Sequence, residues 1–166
     1  MPIRKNLQES RDPYRPWGGQ KALSFCRECG AVYGNKSWSL NPSFIPPKDR
    51  PVRGVICPAC RKIRDGFPSG VITLEGGFLK AHKVEILNCV RNEEKRAGKF
   101  NPQERIIRID DRGERVEIQT TSERFAQRIG REIARAFKGR TTYQWGSEDK
   151  FVRVAWHRGE AHEAEK

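Results

Sequence analysis

CRECG (Cys26–Gly30) and CPAC (Cys57–Cys60) are two Cys-x2-Cys turns separated by 27 residues, and their reading decides the fold of the first part of the chain. In each turn the backbone folds so that two thiolates converge while nearby amide N–H groups point at sulfur, and two such turns complete a tetrahedral four-sulfur site. Gly30 tolerates the positive φ of the first turn and Pro58 fixes φ in the second. The candidate metal ligands are therefore Cys26, Cys29, Cys57 and Cys60. Four thiolates leave no open position for a metal-activated water, so a catalytic metal is disfavoured. The segment over 25–70 has too few large apolar side chains to fold by core burial, and a structural zinc ion stabilises such peptides by about 10–16 kcal/mol in apparent terms.

Composition narrows what the metal unit serves. The chain has 166 residues, room for two small units and not one large core. The start, MPIRKNLQESRDPYRPWGGQKALSF, lacks the apolar run of a secretory signal, and no stretch approaches the roughly 20 apolar residues that span a bilayer. The expectation is a cytoplasmic protein without a membrane partner, whose five cysteines stay reduced and do not form a disulfide framework. Against 21 Asp and Glu stand 33 Lys and Arg, a net charge of +12. Among cytoplasmic polyanions, nucleic acids are the partner such a balance favours.

Four segments follow from the pattern. Residues 1–24 hold Pro2, Pro13, Pro16, Gly18 and Gly19 among charges and read as a flexible basic arm, in which Tyr14 and Trp17 could stack on bases or fold back on the next unit. Residues 25–70 form the zinc ribbon, knuckle, proline-bearing loop and knuckle. Residues 71–158 read as a strand (VITLEG), a helix over 78–99 burying Leu79, Ile86 and Val90 with Val84 and Leu87 beside them, and a hairpin of ERIIRI and RVEIQT. A second helix over about 123–138 follows, capped at Thr121-Ser122 and stopped at Gly139, and then a hairpin of RTTYQW and KFVRVAW with Val152, Val154 and Trp156 on one face. The order β-α-β-β-α-β-β predicts an α+β domain, two helices layered on a mainly antiparallel sheet. Residues 159–166 read as a frayed tail.

The second helix carries the clearest charge pattern. Arg124, Arg128, Arg131, Arg135 and Lys138 recur at spacings of four, three, four and three, one stripe at about 100° per residue, opposite Phe125, Ile129, Ile133 and Phe137. Like charges at i,i+4 cost about 0.2–0.5 kcal/mol per pair, and Glu123 and Glu132 lie off the stripe. A basic face is commonly just a solvated one, but guanidinium groups aligned in this way match phosphates, which Arg grips bidentately. With Arg53, Arg61, Lys62 and Arg64 around the second knuckle, these residues are the expected nucleic-acid contacts.

Two resemblances bear on function. CRECGAVY with CPAC is similar to rubredoxin, which implies a one-electron iron site in place of zinc. Arg61 stands where the rubredoxin pattern has Gly, and the surrounding cations differ from the acidic surface of rubredoxins. Zinc is preferred and iron stays open. The order of knuckles, strand, helix with EILNCVRNE, VEIQTTSERFAQRIGREI and TYQWGSEDKFVRVAWHR, over about 25–158, resembles the N-terminal half of the nonsense-mediated-decay-related adaptor that exports the large ribosomal subunit. That resemblance implies a zinc-binding module, here holding one ion, ahead of a small α+β domain, with both lying on large-subunit ribosomal RNA and protein. The family has a second set of metal-binding cysteines and further C-terminal parts that have no counterpart here, so its export role does not carry over.

The expected function is a non-catalytic zinc-binding factor that associates with structured RNA or the ribosome, in assembly, quality control or dormancy. The alternatives are an iron electron carrier and a transcription-associated zinc ribbon that binds DNA or a polymerase. No Gly-rich phosphate loop, Ser/His/Asp set or carboxylate pair points to an enzyme. Cys89 reads as a core thiol in mid-helix, and His82, His157 and His162 as surface or boundary residues.

Overall fold

The computed structural model describes residues 23–34, 37–40, 52–146 and 151–159. The arm over 1–22 with Tyr14 and Trp17, the proline-bearing loop over 41–51 and the tail over 160–166 lie outside the described residues.

The fold is α+β with two sheets and three helices. The first sheet is small and built around the knuckles. Strands β1 (Ser24–Cys26), β2 (Val32–Gly34), β3 (Ser37–Ser39) and β4 (Arg53–Val55) lie in the order β3-β2-β1-β4. β1 and β2 are antiparallel arms of the first knuckle, whereas β1 and β4 run parallel with Cys26 opposite Val55. Parallel pairing puts the exits of both strands at one end, and each exit is a knuckle. Gly30 has φ +78 in the first turn, the conformation that favours glycine.

The chain then enters α1 (Pro58–Asp65), a helix absent from the sequence reading, which treated 25–70 as knuckles and loop. At eight largely polar residues, it buries only Ala59 and Cys60, too short a stripe to give a periodic signal. Local chemistry nevertheless defines both ends. Cys57 is the N-cap, its sulfur accepting from the Cys60 N–H, and Pro58 sits in the first turn. At the other end Gly66 is left-handed, with φ 64, and the Gly66 and Phe67 N–H groups donate to Ile63 and Lys62 carbonyls.

The larger unit follows the expected order: β5 (Gly70–Glu75), α2 (Gly77–Phe100), β6 (Ile106–Asp111), β7 (Arg115–Thr120), α3 (Glu123–Phe137), β8 (Arg140–Trp145) and β9 (Val152–His157). The sheet runs β6-β7-β5-β9-β8, antiparallel except where β9 pairs in parallel with the central β5. Alternation sends Ile72 and Leu74, Val116 and Ile118, and Val152, Val154 and Trp156 to one face. There they meet Leu79, Ile86 and Val90 of α2 and Phe125, Ile129 and Ile133 of α3 in one continuous core. Complete burial of side chains of this size stabilises the fold by about 1.5–3 kcal/mol each.

Val84 differs from expectation, being 72% exposed. It lies two residues from Ile86, about 200° around the helix, and the buried row instead passes through Glu93 to Ala97. Glu93 is tolerated there because Arg96 Nη1 donates to its carboxylate at 2.9 Å. α2 is also kinked at His82, whose ring stacks on Phe78 at 4.2 Å between centroids.

Gly76 turns the chain from β5 into α2 with φ 115 and ψ 164, a region open essentially to glycine alone. A Cβ at this position would stand 1.9 Å from the Arg158 carbonyl oxygen, which accepts from the Phe78 N–H and is itself backbone. Gly76→Ala is therefore expected to lower unfolding free energy by about 3 kcal/mol or more. Chemical denaturation of the two proteins checks this, and equal midpoints would refute it.

Candidate metal centre and nucleic-acid interface

The parallel β1–β4 pair brings Cys26, Cys29, Cys57 and Cys60 together with all four sulfurs within 4.8 Å of one another. The Cys26–Cys60 and Cys29–Cys57 sulfur separations are 3.8 Å and 3.7 Å. A tetrahedron with metal–sulfur bonds of about 2.3 Å has edges of about 3.8 Å, so these two edges already have the right length. Cys26, Cys57 and Cys60 are buried and Cys29 is half-buried. The four cysteines are positioned to bind one metal ion.

Each sulfur also has a hydrogen-bond donor. The Cys57 N–H donates to Cys26 at 3.3 Å, the Cys60 N–H to Cys57 at 3.4 Å, and the Ala31 N–H to Cys29. Cys60 receives the Arg105 guanidinium at 3.1 Å. Such donors favour thiolate over thiol, whereas burial and crowding oppose it. Hydrogen bonding from Cys29 pulls Cys57 down to about 4, the same contact raises Cys29, and burial pushes Cys60 up to about 12. Four anions this close are ionised together only around a cation.

Arg105 and Gln103 were invisible to the sequence reading. They lie in the connection between α2 and β6, some 45 residues along the chain from the knuckle. Gln103 Oε1 accepts from the Ala59 N–H at 3.0 Å, while its Nε2 is buried without a hydrogen-bond partner among the described residues. No local spacing marks them, because only the docking of α1 on the larger unit brings them to the site.

The expected nucleic-acid contacts fall into two groups. The Lys62 ammonium donates to Ser69 Oγ at 2.7 Å and to the Thr121 carbonyl at 2.9 Å, which makes it an internal strut between α1 and the larger unit. Arg64 pairs with Glu28 across the ribbon. Arg128 pairs at 2.7 Å with Glu104, whose side chain is only 6% exposed. Arg135 pairs with Glu132, holding that carboxyl below its usual range, so compensation along the stripe is better than the sequence suggested. Arg61 is half-buried in α1, and Arg53 is exposed on β4.

Arg124 and Arg131 are exposed, with no partner among the described residues. Lys138 is exposed too, its ammonium reaching only the Arg135 carbonyl. It holds φ 59 at the end of α3, kept there by the Trp156 Nε1 hydrogen bond to its carbonyl at 2.6 Å. Arg128 and Arg135 thus belong to the flank of α3 that meets acids on α2, α3 and the following connection. Arg124, Arg131 and Lys138 form the flank that stays charged.

Burial and the Glu132 and Glu93 carboxylates push the Cys89 thiol up, which makes it a poor nucleophile. No helix among the described residues is long and apolar enough to cross a membrane.

Replacing Arg105 by Leu removes the one cationic donor to the site among the described residues. Loss of such an outer partner is expected to weaken metal binding about 10- to 100-fold, read as cobalt(II) thiolate absorption against a competing chelator. Ligand thiols must lose their protons to bind, so affinity falls as pH falls in either protein. Unchanged cobalt affinity in Arg105→Leu would show that the contact is incidental. Compared with known proteins, the chain matches no family model, no curated protein and no solved structure, so the site is read from its own geometry.

Proposed function

We propose that this protein is a non-catalytic, zinc-stapled RNA-binding factor that works on ribosomal RNA or the ribosome in the cytoplasm. The observation that supports this best is the unpaired row Arg124, Arg131 and Lys138 on a helix whose other basic residues are neutralised. Arg128 and Arg135 are ion-paired, and the three cations that make no ion pair among the described residues are concentrated on one exposed flank. Arg124 and Arg131 are seven residues apart, about 10.5 Å of axial rise along one side of α3, and Lys138 follows at its C-cap. Such a row suits the sugar-phosphate backbone of an extended polyanion.

Zinc is the metal this reading assigns to Cys26, Cys29, Cys57 and Cys60. A closed four-thiolate set is the usual structural zinc site, and its role here is to hold shape. The sulfur–sulfur edges suit iron equally, so colour decides: a red protein with thiolate-to-iron absorption would favour the rubredoxin-like alternative. The resemblance to the subunit-export adaptor points towards ribosomal RNA, and with it towards assembly, quality control or dormancy.

Purified protein is expected to be colourless with one zinc per chain, and to co-sediment with ribosomal particles at low salt. Reversing Arg124, Arg131 and Lys138 to Glu should abolish co-sedimentation and flatten the salt dependence of RNA affinity by about two to three units of log–log slope. Arg128 is left intact because Glu104 depends on it. A folded triple variant that sediments with ribosomes as before would refute the reading, and tighter binding to duplex DNA than to RNA would replace it with the transcription-associated one.

A further inference from the structure

β8 is an outer strand of the larger sheet, hydrogen-bonded to β9 alone. Register puts Thr141, Tyr143 and Trp145 on the helix-covered side, beside Trp156, Val154 and Val152. Those three β9 residues are buried under α3, but the strand beyond them is not covered. Tyr143 is 38% exposed and Trp145 58% exposed. Rings of this size normally bury most of their surface, and on a strand whose alternation points them inward their exposure needs a reason.

The neighbours of the two rings suggest one. A Cβ on Gly130 would stand 2.7 Å from Val154 and 3.4 Å from the Tyr143 hydroxyl, so glycine lets α3 lie close against this edge. Arg131 is the next residue, with Arg124 and Lys138 seven residues to either side on the same flank. On the opposite face of the hairpin are Arg140 and Arg153, the latter 5.1 Å above the Phe151 ring. The described residues of the β8–β9 hairpin include no acid.

We infer that the β8 edge is a stacking platform for unpaired bases of single-stranded RNA. Tyr143 and Trp145 receive the bases, and Arg124, Arg131 and Lys138 hold the backbone that runs beside them. This rests on the RNA-binding reading and narrows it to strands whose bases are free. Every base has a π-face, so such a platform is tolerant of sequence, while duplex RNA keeps its bases stacked internally and offers only phosphates. A second copy pairing through β8 would bring two sets of exposed arginines together.

The test uses the full metal-bound chain with a fluorescent oligouridylate and a perfect RNA duplex, followed by anisotropy over a range of salt. Wild type should prefer the single strand. Trp145→Ala should lose about 5- to 150-fold in affinity for it with little change in salt slope or duplex binding, and Trp145→Phe should recover most of the loss. Trp145 is largely solvent-exposed, so the variants are expected to unfold at the wild-type temperature. If Trp145→Ala binds the oligomer as wild type does while the Arg124/Arg131/Lys138 reversal abolishes binding, the platform is wrong and the RNA reading stands. If wild type binds neither RNA, both fall. If the substitution changes self-association and leaves RNA affinity alone, the edge is an interface between copies and the platform is overturned.

Discussion

Convergence of four sulfurs on one point is the constraint on which the rest of this structure depends. The ribbon strands are three residues long and enclose almost no apolar volume, so hydrophobic burial cannot hold them. What aligns the knuckles is the parallel pairing of β1 with β4, and what can make that alignment permanent is a cation among the thiolates. The cluster is also not confined to its own unit. Arg105 and Gln103 reach it from the α2–β6 connection, and Lys62 reaches back from α1 to Ser69 and Thr121. A site that spacing alone would describe as a staple within 25–70 is therefore a rivet between the small sheet and the large one.

Charge is distributed by the same docking. A chain with a surplus of twelve cations repels itself, and the folded state reduces that repulsion where acids can be brought within reach. Glu104 meets Arg128, Glu132 meets Arg135, and Glu93, buried in the core row of α2, meets Arg96. These pairs gather where α2, α3 and the α2–β6 connection come together. Arg124, Arg131 and Lys138 make no ion pair among the described residues, so positive charge remains on α3 beside the least covered strand of the sheet. Cations and exposed aromatic rings come together for one reason, namely that α3 stops short of covering the sheet edge.

Much of this was legible in the sequence because it is local. The Cys-x2-Cys spacing, the alternation in RVEIQT and FVRVAW, the Ser122 cap and the Gly139 stop all depend on residues within one turn or one strand of each other. α1 was missed because eight polar residues give no stripe, although Cys57, Pro58 and Gly66 mark its limits. Val84 was misplaced by reading apolarity without phase. The parallel β5–β9 pair, the duty of Lys62, the pairing of Arg128 and the reach of Arg105 all join residues more than twenty positions apart. Sequence periodicity cannot say which cation will find an acid; only the packing that brings Glu104 under α3 decides it.

From these contacts follows a physical route from metal to basic helix. Cys57 is at once a ligand and the N-cap of α1, so the metal position sets where that helix begins. Lys62, one and a half turns on, donates to the carbonyl of Thr121, and Thr121 precedes Ser122, whose hydroxyl oxygen accepts from the Phe125 N–H to start α3. On the same stretch Thr121 Oγ1 donates to the Gln103 carbonyl, and Gln103 holds the Ala59 N–H in the second knuckle. Both ends of this loop of bonds close on the four-sulfur cluster, so the start of α3 is fixed relative to the metal by hydrogen bonds from two directions. A metal held by the four cysteines would in this way set the angle at which Arg124 and Arg131 are presented.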